Sequence, residues 1–188
     1  MQSKIWSFNP TLFRKNLTRF WPLWGGASFV GALFPLALLL TSLQRHRYPS
    51  ALDFAQGCYG VVSVVLPILS LIYAILCAMV VWGYLYNARS VGMMHTLPIR
   101  REGVFCTTFL SGMAMMLIPY TVVGLLCLLI SLLFGALDPV VFAVTALAVI
   151  GESLFYFASA TFTALVVGNI FALPAVYLLL HFLAMILE

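Results

Sequence analysis

One polar stretch interrupts an otherwise apolar chain: Asn87-Ala-Arg-Ser-Val-Gly-Met-Met-His-Thr-Leu-Pro-Ile-Arg-Arg-Glu102. Its chemistry is that of a docking surface. Met93 and Met94 are adaptable apolar side chains, and Arg89, Arg100 and Arg101 flank them, a pairing suited to gripping another protein. Asn87 or Ser90 could cap a short helix, which Pro98 would end because the residue before a proline avoids the α conformation. Pro98 would then open a second helix, with Glu102 near its positive end. The plainer reading of this stretch is a solvated basic linker, but a linker has no need of apolar side chains facing water.

Two further side chains could do chemistry inside the apolar runs. Glu152 is a carboxylate well inside one of them, which makes it a candidate for substrate handling or gating. Equally, it could be protonated or hydrogen-bonded to Ser153 or a neighbouring helix. His181 could face Glu152, although a buried histidine bonded to a backbone carbonyl is the simpler expectation. No catalytic motif is present: no HExxH, no Walker sequence, no paired carboxylates, and Ser111-Gly112 lacks the GxSxG setting. Cys58, Cys77, Cys106 and Cys127 show no ligand spacing, so no metal is expected and thiols within spans act as small apolar groups.

The elements that position these residues follow from composition. The 188 residues are 64% hydrophobic and 7% charged, with a mean hydropathy of +1.12, whereas a soluble domain carries about 25% charged residues. Lipid must therefore be the solvent for most of the surface, and an all-α integral membrane protein is expected. Apolar runs at about 21–43, 60–86, 104–134, 140–167 and 170–188 each reach the ~20 residues needed to cross the hydrocarbon core. Helices are the only sensible reading, since no alternating barrel pattern appears. Gly135-Ala-Leu-Asp-Pro139 reads as a turn, and only Gly168-Asn169 divides the last two runs. Pro67, Pro119 and Pro174 are expected to bend their helices. Small residues at Gly25-Gly26-Ala27-Ser28, Gly31 and Ala158-Ser159-Ala160 are expected to allow close helix approach.

Basic residues set the orientation. Lys4, Arg14, Lys15 and Arg19 precede the first run, Arg89, Arg100 and Arg101 lie between the second and third, and only Arg45 and Arg47 lie between the first and second. That asymmetry favours a cytoplasmic N-terminus. The pI near 9.0 thus reflects orientation, and no nucleic-acid partner is implied. Before the first span, Asn9 suits an N-cap and Pro10 the first helical position. The resulting helix carries Leu12, Phe13, Leu17, Phe20 and Trp21 on one face and Arg14, Lys15, Thr18 and Arg19 on the other. Its basic face would meet anionic headgroups; a plain positive flank is the alternative. The division is thus an interfacial segment over 1–20 and a transmembrane domain over 21–188, with a cytoplasmic loop at 87–103. The chain stops within an apolar run, as a piece of a longer subunit would.

The run from Arg89 to Phe105, with His95-Thr-Leu-Pro-Ile-Arg-Arg101 at its centre, resembles a signature of ABC-2 type transporter permeases, in which a His-(Ser/Thr)-Leu-Pro-x-(Ser/Arg)-Arg pattern lies between the second and third spans. Leu110-Ser-Gly-Met, Ile118-Pro119 and Gly168-Asn169 are similar to further features of that family, and the N-terminal helix resembles its elbow helix. The resemblance covers roughly residues 8–175. It implies that Arg89, Ser90, Met93, Met94, His95, Thr96, Leu97, Pro98, Arg100 and Arg101 form a coupling helix that docks on a separate ATP-binding subunit. It further implies six spans in the complete subunit, a second permease copy or homologue, and location in a bacterial plasma membrane. ATP and Mg would be bound by the partner, with no cofactor on this chain. The family's sixth span and its frequent external domain are missing here. The alternative from another class is a small membrane scaffold or sensor; an intramembrane enzyme centred on Glu152 and His181 is more distant.

Overall fold

A computed structural model describes residues 8–44, 65–87, 91–92, 101–133, 135 and 137–187. Among them every regular element is a helix: α1 (Pro10–Arg19), α2 (Trp21–Gln44), α3 (Leu66–Trp82) with a 3-10 turn at Gly83–Tyr86, α4 (Arg101–Leu133), α5 (Pro139–Val166) and α6 (Leu173–Leu187). Three helical segments are long and apolar enough to cross a membrane: Leu66–Tyr86, Arg101–Leu133 and Pro139–Val166. A fourth arises if α1 and α2, bent by 59° at their junction, are one broken span. The first and last of the five runs read from hydropathy are not among these three. Trp21–Gln44 is 24 residues long and enters only as part of the bent pair, and Leu173–Ala184 counts among the shorter apolar helices.

Local sequence explains the helix ends. The Asn9 side chain accepts from the Thr11 and Leu12 amides, and Pro10 occupies the first turn. Asp138 does the same for α5, accepting from Val140 and Val141 ahead of Pro139. Gly135 has φ +62°, a left-handed value that a β-carbon disfavours. After α5, Val167 is extended and Asn169 turns the chain, its side chain accepting from the Phe171 amide and its carbonyl from Ala172. Gly168-Asn169 is thus a true break between helices. Pro174 stands in the first turn of α6 and bends nothing there, and Pro67 is the second residue of α3, preceded by Val65 in helical conformation. Pro119 lies inside α4, as does Pro35 inside α2.

The core lies between α3, α4 and α5. Ala74, Cys77, Ala78, Val81 and Trp82 meet Met115, Met116, Phe157, Ala160 and Ala164, with Leu173 and Tyr177 closing one side. Small residues on α3 and α5 let the backbones approach. Of the Ala158-Ser159-Ala160 group, Ala160 is buried and Ala158 exposed. Gly31 faces α4 so closely that a β-carbon there would stand 2.8 Å from Val123 Cγ2. Four buried hydroxyls are satisfied within their own helices: Thr107 donates to the Gly103 carbonyl, Ser111 to Thr108, Ser131 to Cys127 and Thr163 to Ser159. Such back-bonding lets Ser and Thr enter an interior without water. Outward faces are apolar instead of polar, with Phe29, Val30, Val144, Leu147, Phe155 and Phe162 all exposed. That surface is compatible with a membrane protein.

Candidate functional site

Three groups of polar side chains stand out, and the first lies where α1 meets α4. Asn9 and Asn16 are two helical turns apart and so share a face. The Asn9 amide donates to Thr107 Oγ1 at 3.0 Å, and Asn16 Nδ2 donates to Ser111 Oγ at 3.1 Å. Thr107 and Ser111 are one turn apart on α4 and are fully buried. Leu17 and Phe20 pack against the core beside them. The Trp24 indole reaches back to the Leu17 carbonyl at 3.0 Å, fixing the bend into α2. Arg14, Lys15, Thr18 and Arg19 remain exposed on the opposite face, with Arg19 over the Phe20 ring at 5.2 Å. The amphipathic pattern predicts those two faces except for Trp21, which begins α2 beyond the bend and is exposed. It did not anticipate that a protein helix, α4, covers the apolar one. The signal lies in the polar Asn16 among the apolar residues of α1 and the four-residue spacing of Thr107 and Ser111, since Asn9 bonds through its backbone N–H.

This junction adjoins the polar loop. Asn87 ends the 3-10 turn in an extended conformation, and its carbonyl accepts from the Val91 amide at 3.0 Å. Val91 and Gly92 are helical. Arg101 begins α4 and is exposed, and Glu102 lies in the first turn. Arg89, Ser90, Met93, Met94, His95, Thr96, Leu97, Pro98 and Arg100 lie outside the described residues.

The Asn16–Ser111 bond carries a testable consequence. Side-chain hydrogen bonds between membrane helices are worth about 0.6 kcal/mol on average and up to ~1.7. Asn16→Ala should therefore speed hydrogen exchange of the α1 amides by about three- to twenty-fold if α1 opens locally. Exchange at α5 amides should not change. Equal α1 exchange in both proteins would show that the bond does not hold the helix.

The second group surrounds Glu152, half-buried near the middle of α5. Ser70 and Tyr120 hydroxyls lie 2.7 Å apart, and the Glu152 carboxyl interacts with Ser70. Its Oε1 is buried without a hydrogen-bond partner. Ser153, the expected local partner, donates instead to the Ile150 carbonyl. Close by, Tyr73 donates to the Met115 carbonyl at 2.9 Å. The third group holds His181. Its Nδ1 lies 3.0 Å from the Tyr177 carbonyl and its Nε2 3.5 Å from Ser159 Oγ. The rings of Tyr177, Tyr156 and Phe155 surround it at 4.3, 5.5 and 6.1 Å. A carbonyl-bonded histidine in an aromatic setting is a packing arrangement, and no hydrogen bond joins it to Glu152. Among the described residues, no group of three or more His, Cys, Asp or Glu side chains could hold a metal ion.

Among the described residues, fold and site together define an all-helical protein with three to four helices able to span a membrane. No protein-family profile, no curated protein and no solved structure matches this chain.

Proposed function

We propose that this chain is a transmembrane subunit of an ABC-2 type transporter, an exporter driven by a separate ATPase. One observation carries the reading: His95-Thr-Leu-Pro-Ile-Arg-Arg101 stands between two long apolar helices and runs directly into α4. The loop then receives the closing of the ATPase pair and moves α3 and α4 as rigid bodies. The α1 contacts at Thr107 and Ser111 support this. They tie the exposed basic helix to the first turns of the element the loop would push. In this reading the N-terminus is cytoplasmic, α1 is the elbow helix and α6 belongs to a fifth span of six. A second permease copy or homologue completes the pathway in a bacterial plasma membrane. ATP and Mg stay on the partner.

Replacing Met94 and Leu97 with Asp places two charges on the docking surface. The double variant should lose at least nine-tenths of the ATPase that co-purifies from native membranes in mild detergent, with unchanged helical circular dichroism. Undiminished co-purification would remove the coupling assignment. Recovery of wild-type chain with no Walker-containing partner would favour the scaffold or sensor.

A further inference from the structure

The basic face of α1 is an exposed patch of like charge. Arg14, Lys15 and Arg19 are all exposed, and α1 carries no acidic residue. Among the described residues, none of the three has a carboxylate partner. Lys15 and Arg19 stand one helical turn apart, close enough to bracket a single phosphate, with Arg14 on the adjoining row.

This patch lies where the membrane-spanning helices stop. Tyr86 donates to the Ala164 carbonyl at 2.7 Å, so α3 and α5 end side by side, and Asn87 and Val167 just beyond are extended. α4 enters at the same level, its Phe105 ring against Trp82. The bonds from Asn9 to Thr107 and from Asn16 to Ser111 hold α1 within two turns of Phe105. Trp21 follows at the foot of α2 and is 62% exposed, a ring suited to a membrane–water boundary. In a bilayer crossed by α3 and α5, that level is the headgroup layer.

An interfacial helix ordinarily anchors by sinking its apolar face among acyl chains. Here α4 covers that face, with Leu17 and Phe20 packed on the core. Charge is what remains to hold α1 to lipid. A helix of ten residues is marginal by itself, so α1 keeps its three cations on one face only while docked on α4. A ligand that needs that face stabilises the docked state by mass action.

We propose that the basic face of α1 binds an anionic phospholipid, its phosphate between Lys15 and Arg19, and that this lipid holds α1 against α4. The site requires no ATPase, so it stands or falls separately from the transporter reading.

The test uses the full chain in nanodiscs of phosphatidylcholine, alone or mixed equally with phosphatidylglycerol. Each Lys or Arg near an anionic surface favours binding about fivefold. Wild-type α1 amides should therefore exchange hydrogen at least tenfold more slowly in the mixed discs, with α5 amides unchanged. Combining Arg14→Gln, Lys15→Gln and Arg19→Gln, all at exposed positions, should leave α1 exchanging alike in both discs. Equal α1 exchange by the wild type in the two lipids, or a slowing that survives the triple substitution, overturns the proposal. Should the triple variant fail to fold, salt decides instead. At about 1 M, where the Debye length is ~3 Å, the wild type's difference between discs should vanish, and its persistence overturns the site.

Discussion

Replacing Gly112 with alanine is expected to destabilise the protein by about 1–3 kcal/mol, the usual range for overpacking an interior. A β-carbon at this position would overlap the Phe157 ring, lying 2.9 Å from Cε2 and 3.2 Å from Cε1. The ring cannot swing aside freely. Phe157 is fully buried in the core, with Phe109 at 5.5 Å between centroids. Alanine would gain up to about 1 kcal/mol of helix propensity over glycine, so the steric term wins only because the neighbour is confined. Unfolding in detergent, followed by tryptophan fluorescence, measures the loss. Phe157→Leu should cost stability alone yet rescue part of the Gly112→Ala defect, giving a double variant better than additive. A Gly112→Ala protein as stable as wild type would mean that α4 and α5 do not approach this closely.

Trp82→Ala should cost more, about 3–5 kcal/mol by the measure of large aromatic truncations in cores. Trp82 is 1% exposed and ties three helices. It belongs to α3, its ring lies 5.2 Å from Phe105 of α4, and its indole N–H donates to Thr161 of α5 at 3.3 Å. The hydrogen bond supplies the smaller share, about 0.6 kcal/mol by the average for membrane helices. Trp82→Phe should therefore retain most of the stability, losing under about 2 kcal/mol. The same unfolding measurement separates the two. If both variants lose equally, the hydrogen bond and not the ring volume holds the joint.

How much of this was legible beforehand varies by element. Asn9 with Pro10 signalled the start of α1, and the apolar runs placed α4 and α5 to within a few residues. The exposed basic face of α1 followed from the charge pattern. What covers its other face did not, because Leu12, Leu17 and Phe20 would suit lipid as well as a helix. Glu152 stood out as a carboxylate in an apolar run, but Ser70 and Tyr120 are 82 and 32 residues away from it along the chain, and no local pattern links them. His181 was expected near a carbonyl and has one, at Tyr177. Pro174 misled because a proline reads alike in a kink and in a first turn; only the Asn169 turn before it decides.

The sequence by itself determined a chain of apolar helices, their approximate ends and one polar loop between two of them. These are local matters: caps, turns, and the demand that every backbone amide find a partner inside its own segment. Tertiary structure alone decided which faces meet. Helices apolar on all sides carry no amphipathic stripe to announce their inner face, and lipid is as apolar as leucine, so hydrophobicity cannot choose. Shape and a few hydrogen bonds choose instead, as Gly112 against Phe157, Trp82 against Thr161 and Asn16 against Ser111 do here.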